Sequence, residues 1–356
     1  MTPRSLGLFC VGFDGLAVPD TLQPLLARGL GGVILFKRNL ESLEQICRLT
    51  TDLHGAGSTP LLIGVDQEGG RVTRLPAPFL APPAAARLGR IDDPDLTREL
   101  ARAVGRELRA AGINWNLAPV LDIHTNPANP VIGDRAYGGD PERVTRMGLA
   151  ALRGFEEASV LATAKHFPGH GETAADSHLT LPESLQTRDR WRNLEFIPFR
   201  AAVEAGVPSI MVAHLNCPAL DPLAPSSLSR IVTTDILRHE LGFDGLVASD
   251  DMEMAAIAGR YDVGEAAVRF LEAGGDLILI CRNVELQSAA VAAVDAAIRS
   301  GRLPMARVEA SLERIAQARR RFVSGDVRVD PLVARTIVGS PTHLALLRRA
   351  QSATAG

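Results

Sequence analysis

Apolar residues fall into eight short runs along the chain: Leu6–Phe13, Gly32–Phe36, Leu61–Val65, Trp115–Ile123, Val160–Phe167, Ser209–Leu215, Leu246–Ser249 and Leu277–Cys281. Each is too short for a helix and nearly continuous in apolar character, as strands buried on both faces should be. Between them lie stretches with helical spacing: Asp20–Arg28, Ser42–His54, Asp95–Ala111, Pro141–Glu157, Glu195–Ala205, Thr234–Leu241, Val263–Ala273 and Glu285–Arg299. Most open on Asp, Ser, Thr or Pro and several close at Gly, which are helix start and stop signals. Alternation of strand and helix predicts a parallel sheet. Eight such units in 356 residues favour a closed, TIM-type (β/α)8 barrel in one α/β domain. No GxGxxG follows the first run, so an open dinucleotide-binding sheet has little support. The barrel is expected over residues 1–330, including a further amphipathic helix at Pro304–Phe322, with 331–356 as a C-terminal tail or helix packed on it.

Composition narrows the class of ligand. Lys and Arg total 38 against 41 Asp and Glu, a balance that calls for neither nucleic acid nor an anionic membrane surface. The expected partner is a small molecule, with the protein itself a monomer by default. Cys10, Cys47, Cys217 and Cys281 are widely spaced and form no CxxC pair, which suits a reducing compartment. Residues Met1 to Gly15 lack the pattern of a secretory signal, and no stretch approaches the roughly 20 apolar residues of a membrane span. The cytoplasm is therefore the expected location. Only Lys37 and Lys165 are lysines, all other basic residues being arginine. A lysine retained in such a chain points weakly to a site that needs a compact ammonium.

In a barrel of this kind, residues just after the strands form the active face. Here these are Arg38, Asp66, Asp122, Lys165 with His166, His214, Asp250 and Arg282. The loops Leu75–Pro83 and Asn126–Gly139 should join them there. Lys165-His166-Phe167-Pro168-Gly169-His170-Gly171-Glu172-Thr173, followed by Asp176-Ser177-His178, holds three of the eight histidines. Its proline and glycines break any helical HxxxH face, so a zinc site is not expected, nor is any other metal or cofactor. Asp176 and His178 can meet in a turn, where the carboxylate would fix the imidazole tautomer and leave the other nitrogen for proton transfer. Alternation along the seventh strand should send only one of Asp250 and Asp251 into the barrel mouth, the other bonding backbone or capping a helix. A carboxylate there can attack an anomeric carbon. Two other chemistries stay open: Asp250 and Asp251 as a pair polarising a substrate acetamido group, and Lys165 as a Schiff-base nucleophile of aldolase type.

Three segments carry a resemblance: Val65-Asp66-Gln67-Glu68-Gly69-Gly70-Arg71-Val72-Thr73-Arg74, KHFPGHGETAADSH over Lys165–His178, and Ser249-Asp250-Asp251-Met252. With Ala118–Asp122 and Ile132–Arg135 in the same order, the chain resembles glycoside hydrolase family 3, in its single-domain β-N-acetylglucosaminidase branch. The resemblance implies that Asp250 is the nucleophile of a retaining β-N-acetylhexosaminidase and that His178 is the acid/base, with Asp176 as its partner. It further implies that Asp66, Arg74, Arg135, Lys165 and His166 bind the sugar, and that the substrates are muropeptides of cell-wall recycling. The preference for an N-acetylated sugar rests on the resemblance alone. A histidine acid/base would not repel phosphate as a glutamate would, so phosphorolysis is a second outcome. The loop Gly169–His178 is expected to be mobile without ligand and to order over the leaving group. Glu172 stands where family members often carry Asp, which leaves the Asp176–His178 spacing intact.

Overall fold

The computed structural model describes residues 4–174, 181–323 and 329–353. Eight strands form a closed parallel barrel in sequence order: β1 (Phe9–Val11), β2 (Gly32–Leu35), β3 (Leu62–Val65), β4 (Trp115–Asn116), β5 (Leu161–Phe167), β6 (Ser209–Val212), β7 (Leu246–Asp251) and β8 (Leu277–Ile280). Closure is made where Phe9, Cys10 and Val11 pair with Ile278, Leu279 and Ile280. Every strand residue but the last two of β7 is buried, because side chains fill the barrel within and pack on helices without. Trp115 donates its indole N–H to Thr163 Oγ1 on the neighbouring strand β5 at 2.7 Å.

The predicted strands hold their places but not all their lengths. The first run opens as a 3-10 turn over Arg4–Leu8 before it becomes β1. The fourth ends at Asn116 and not at Ile123, because Pro119 has no N–H to give to the ladder. Beyond it the chain still tracks β5, with the Leu121 N–H donating to Lys165 O at 2.6 Å and the Lys165 N–H donating to Pro119 O at 3.1 Å. That carries Asp122 to the barrel mouth.

The helix predicted from Glu195 begins at Arg188 and runs through a π-wound stretch, Trp191–Glu195, to Glu204. Its cap is Thr187, whose Oγ1 accepts the Arg190 N–H, so Glu195 lies inside the helix, buried, and not at an acidic start. Ile231–Glu240 is likewise π-wound and starts earlier than its apolar spacing suggests. The first predicted helix shrinks to Gln23–Ala27, and an unpredicted one, Ala85–Ile91, follows the proline-rich loop.

Helices Met305–Phe322, Pro331–Ile337 and Pro341–Ser352 complete the outer layer. The last is tied to helix Pro94–Ala110 by His343 on Glu107 at 2.7 Å, and to that helix's N-terminus by Arg349 on Asp93 at 2.7 Å. Among the described residues no helix is long and apolar enough to cross a membrane. All four cysteines are buried, free thiols.

Candidate active site

The C-terminal ends of the strands surround a cleft of about 260 Å³ whose lining includes Asp66, Glu68, Arg74, Arg135, Lys165, His166, His170, Asp250 and Asp251. Six of the eight site residues implied by the resemblance, Asp66, Arg74, Arg135, Lys165, His166 and Asp250, are thus brought together. Asp176 and His178 lie outside the described residues. Arg38 and Arg282 end their strands as expected but turn elsewhere. Arg38 pairs with Asp14 at 2.7 Å and donates to Cys281 O, and exposed Arg282 pairs with Asp14 at 3.3 Å.

Local sequence explains how each group reaches the cleft. After β3 the chain must reverse, and Gly69 and Gly70 adopt φ of 104° and 54°, a region side chains disfavour. The Gln67 amide then folds the following loop over itself. Its Oε1 accepts the Arg74 and Leu75 N–H groups at 2.9 and 3.3 Å, while its Nε2 donates to Leu80 O. Among the described residues, Arg74 has a buried Nε without a partner and a long contact, 3.9 Å, to Asp66. Arg135 ends a 3-10 turn, Gly133–Arg135. That loop is pinned by Asn129, whose Oδ1 accepts from Val131 and Ile132 and whose Nδ2 donates to His170 O at 2.7 Å. A register shift of β5 against β6 between Ala164 and Phe167 breaks simple alternation, so adjacent Lys165 and His166 both border the cleft.

The charged groups form a connected array. Lys165 Nζ lies 2.7 Å from Asp66 Oδ1 and 2.7 Å from Glu68 Oε1. Arg135 grips Glu68 through two parallel bonds of 2.8 Å and reaches His166 Nε2 at 3.3 Å. A guanidinium can only donate, so His166 Nε2 accepts and its Nδ1–H donates to Asp122 Oδ2 at 2.7 Å. Asp122 Oδ1 takes the backbone N–H groups of His166 and His170 at 3.3 and 2.7 Å. Burial alone would raise Asp122, but the hydrogen bonds that it accepts from the His166 ring and from the His170 backbone help to hold the carboxyl below its ordinary range. Burial pulls the Lys165 ammonium down, yet Asp66 and Glu68 leave it above the usual lysine value. His170 is driven down to about 4, chiefly by burial, so it is neutral.

Asp250 sits half-buried at the end of β7, and its Oδ1 accepts the Asp251 N–H at 2.9 Å. Desolvation opposes its charge, but His166, His214, the Asp251 N–H and Lys165 prevail and hold it below the ordinary carboxylate range. It is an ionised carboxylate in a cleft, the state a nucleophile needs. Alternation does not hold as expected for its neighbour: Asp251 also borders the cleft, because β7 and β8 shift register between Ala248 and Asp251. Its Oδ1 accepts the Glu253 and Cys281 N–H groups at 3.1 and 3.2 Å, the backbone-bonding role expected of the second carboxylate. Burial raises its pKa to about 7. His214 does not line the cleft. It donates from Nε2 to Asp251 O at 3.1 Å and bonds Ser227 through Nδ1 at 2.7 Å.

The His170–Ala174 stretch is built in. A Cβ on Gly171 would fall 1.7 Å from Ile123 O, the Asn126 Nδ2 donates to Glu172 O at 3.1 Å, and Glu172 bonds Thr125 and Arg190. The sequence placed Asp122 at the active face without a particular role, and it gave Glu68 no role at all. Glu68 lies two residues beyond Asp66, and the period of an extended chain was a signal that both would face the same way.

Comparison with known proteins agrees with this geometry. Residues 12–318 match the model of the glycosyl hydrolase family 3 N-terminal domain. A β-hexosaminidase of Thiobacillus denitrificans is 42% identical over 272 residues, 75% of this chain and 75% of the relative. A family 3 β-N-acetylglucosaminidase from Paenibacillus sp. str. FPU-7 superposes with a TM-score of 0.92 at 41% identity, covering 98% of this chain and 68% of that one. A β-glucoside phosphorylase superposes at 0.88 with 27% identity, over 98% of this chain and 64% of that one. The ionised aspartate at the end of β7 and the array around Lys165 thus stand in a chain that belongs to glycosyl hydrolase family 3, as an enzyme that cleaves glycosides.

Proposed function

We propose that the protein is a retaining exo-β-N-acetylglucosaminidase that acts through a covalent glycosyl-enzyme on Asp250. The observation that carries this reading is the ionised Asp250 carboxylate in one cleft with Asp66, Arg74, Arg135, Lys165 and His166. A neutral polyhydroxylated ring needs charged donors and acceptors in a fixed array, and these five side chains supply them. The names and identities of the β-hexosaminidase relatives support the N-acetylated glycone.

In the first step an Asp250 oxygen bonds to the anomeric carbon as the glycosidic C–O bond breaks, and the leaving oxygen takes a proton from His178. In the second, His178 removes a proton from water, whose oxygen displaces Asp250 and restores both groups with net retention. Asp176 holds the His178 tautomer. These two roles rest on the KHFPGHGETAADSH motif. The substrates we favour are muropeptides with a non-reducing N-acetylglucosamine, cleaved in the cytoplasm during cell-wall recycling by a monomer whose C-terminal helices serve packing.

The test is hydrolysis of an aryl β-N-acetylglucosaminide by the wild type and by Asp250→Ala and His178→Ala, with and without phosphate. Loss of turnover in both variants is expected, and an active Asp250→Ala enzyme would overturn the nucleophile. The phosphorylase among the structural neighbours favours a second reading. A phosphate-dependent sugar 1-phosphate product would establish it.

A further inference from the structure

Glu68 is 7% exposed, and both its oxygens are committed to cations. Oε1 lies 2.7 Å from Lys165 Nζ and 2.8 Å from Arg135 Nη2, and Oε2 accepts from Arg135 Nε at 2.8 Å. Three of the roughly four acceptor sites of this carboxylate are filled, both of those on Oε1 among them, and the one that is left belongs to Oε2, which Arg135 Nε already holds in place. The two cations are in a different position. An ammonium has three N–H groups, and Lys165 spends two on Asp66 and Glu68. A guanidinium has five, and Arg135 spends two on Glu68, one toward His166 and one on Val131 O at 3.2 Å. Each cation therefore enters the cleft with one donor to spare and no freedom to swing it.

We propose that Glu68 is a positioning residue that fixes Lys165 and Arg135 as paired, single-donor contacts for the sugar, without touching the sugar itself. Without its charge, two buried cations share a site in which Asp66 still contacts Lys165 while Asp122 and Asp250 lie farther off, and the geometry that Glu68 imposed on both is released. Burial already works against the Lys165 charge, and Asp66 and Glu68 are the groups that overcome it. The sugar-binding part of this inference rests on the function proposed above, whereas the hold of Glu68 on Lys165 does not.

The lysine count makes the test direct. Only Lys37 and Lys165 are present, and Lys37 is exposed on the 3-10 turn after β2, so Lys37→Arg leaves Lys165 as the sole lysine. In that background, 13Cε-lysine NMR follows the Lys165 titration with or without Glu68→Gln. The parent is expected to titrate above the ordinary lysine value, and the variant at least about one pH unit below the parent. With the aryl glycoside, Glu68→Gln should raise KM by about tenfold or more and change kcat less than about threefold, with Glu68→Asp recovering part of the loss.

A folded Glu68→Gln protein with an unchanged Lys165 titration and KM would overturn the proposal. So would a parent protein in which Lys165 titrates at or below the ordinary lysine value, a result that needs no variant to fold. If the wild type shows no turnover of the aryl glycoside, the activity falls, and the lysine titration still decides the role of Glu68.

Discussion

Two buried carboxylates organise opposite ends of the barrel, and they differ in what they leave undone. At the N-terminal end Asp276, fully buried just before β8, accepts from Arg238 at 2.6 Å, Arg307 at 3.0 Å, Ser311 at 2.8 Å and the Val247 N–H at 3.0 Å. Arg238 itself makes five bonds, the others going to Gly274, Phe243 and Gly245 carbonyls, so it has no donor left. At the C-terminal end Glu68 binds Lys165 and Arg135 equally closely, yet those cations border an open cleft with donors unspent. The same chemistry closes one end of the barrel and readies the other for a ligand. In such a site a spare donor, more than a charge as such, separates a binding group from a structural one.

This contrast predicts that damage at the two ends separates activity from stability. The largest effect belongs to Asp250→Asn, which keeps the size of the side chain but removes the nucleophile. A loss of about 10³-fold or more in kcat is expected with the melting temperature nearly unchanged. Near-wild-type turnover would remove the carboxylate from the mechanism. Asp276→Ala should do the reverse. It leaves the partly buried Arg238 and Arg307 without their carboxylate and should cost about 3 kcal/mol in denaturant unfolding, while kcat/KM per folded molecule stays within about twofold. A large loss of kcat/KM in folded Asp276→Ala enzyme would show that the two ends are coupled. Arg135→Lys is subtler, because an ammonium cannot make the paired bonds to Glu68 and still reach His166. We expect KM for the aryl glycoside to rise about thirtyfold, equivalent to about 2 kcal/mol, and an unchanged KM would mean that Arg135 does not bind the sugar.

The barrel was legible in the sequence because strands buried on both faces leave uninterrupted apolar runs, and the polar residue after each run marks the active face. What lay beyond reach was departure from regular alternation. The bulges beside Lys165 and Asp251 come from pairing with neighbouring strands, so nothing in either strand's own residues announces that Lys165 and His166, or Asp250 and Asp251, share a cleft. Glu68 stood inside the motif that carried the family resemblance, but its role depends on Arg135 and Lys165, distant in sequence, arriving at the same point. Glu195 misled for a related reason. An acid ahead of an apolar stretch usually marks a helix start, whereas here Thr187 caps the helix and tertiary packing draws the acid inside.

That buried Glu195 supplies the smallest effect and a pH test of the same contrast. Among the described residues neither of its oxygens has a hydrogen-bond partner, Arg190 stands 3.7 Å away, and its Oε2 lies 3.2 Å from where a Cβ on Gly169 would be. Burial raises its pKa to about 7, Arg190 draws it down, and the charges of Asp122 and Glu172 add to the rise. An unfolded glutamate titrates near ~4.3, so between that value and about 7 the folded chain binds more protons than the unfolded one. Stability from this group is therefore complete below the unfolded pKa and is lost as pH rises through the folded one. Glu195→Gln removes the titration and keeps the shape. Urea unfolding at pH 6 and pH 8 should show the wild type losing about 1 to 2 kcal/mol more than the variant over that interval. An identical pH dependence for the two would mean that Glu195 stays ionised beside Arg190. The carboxylate beneath the Gly169 turn would then resemble Asp276, a closed structural pair, and not a group left with capacity to spare.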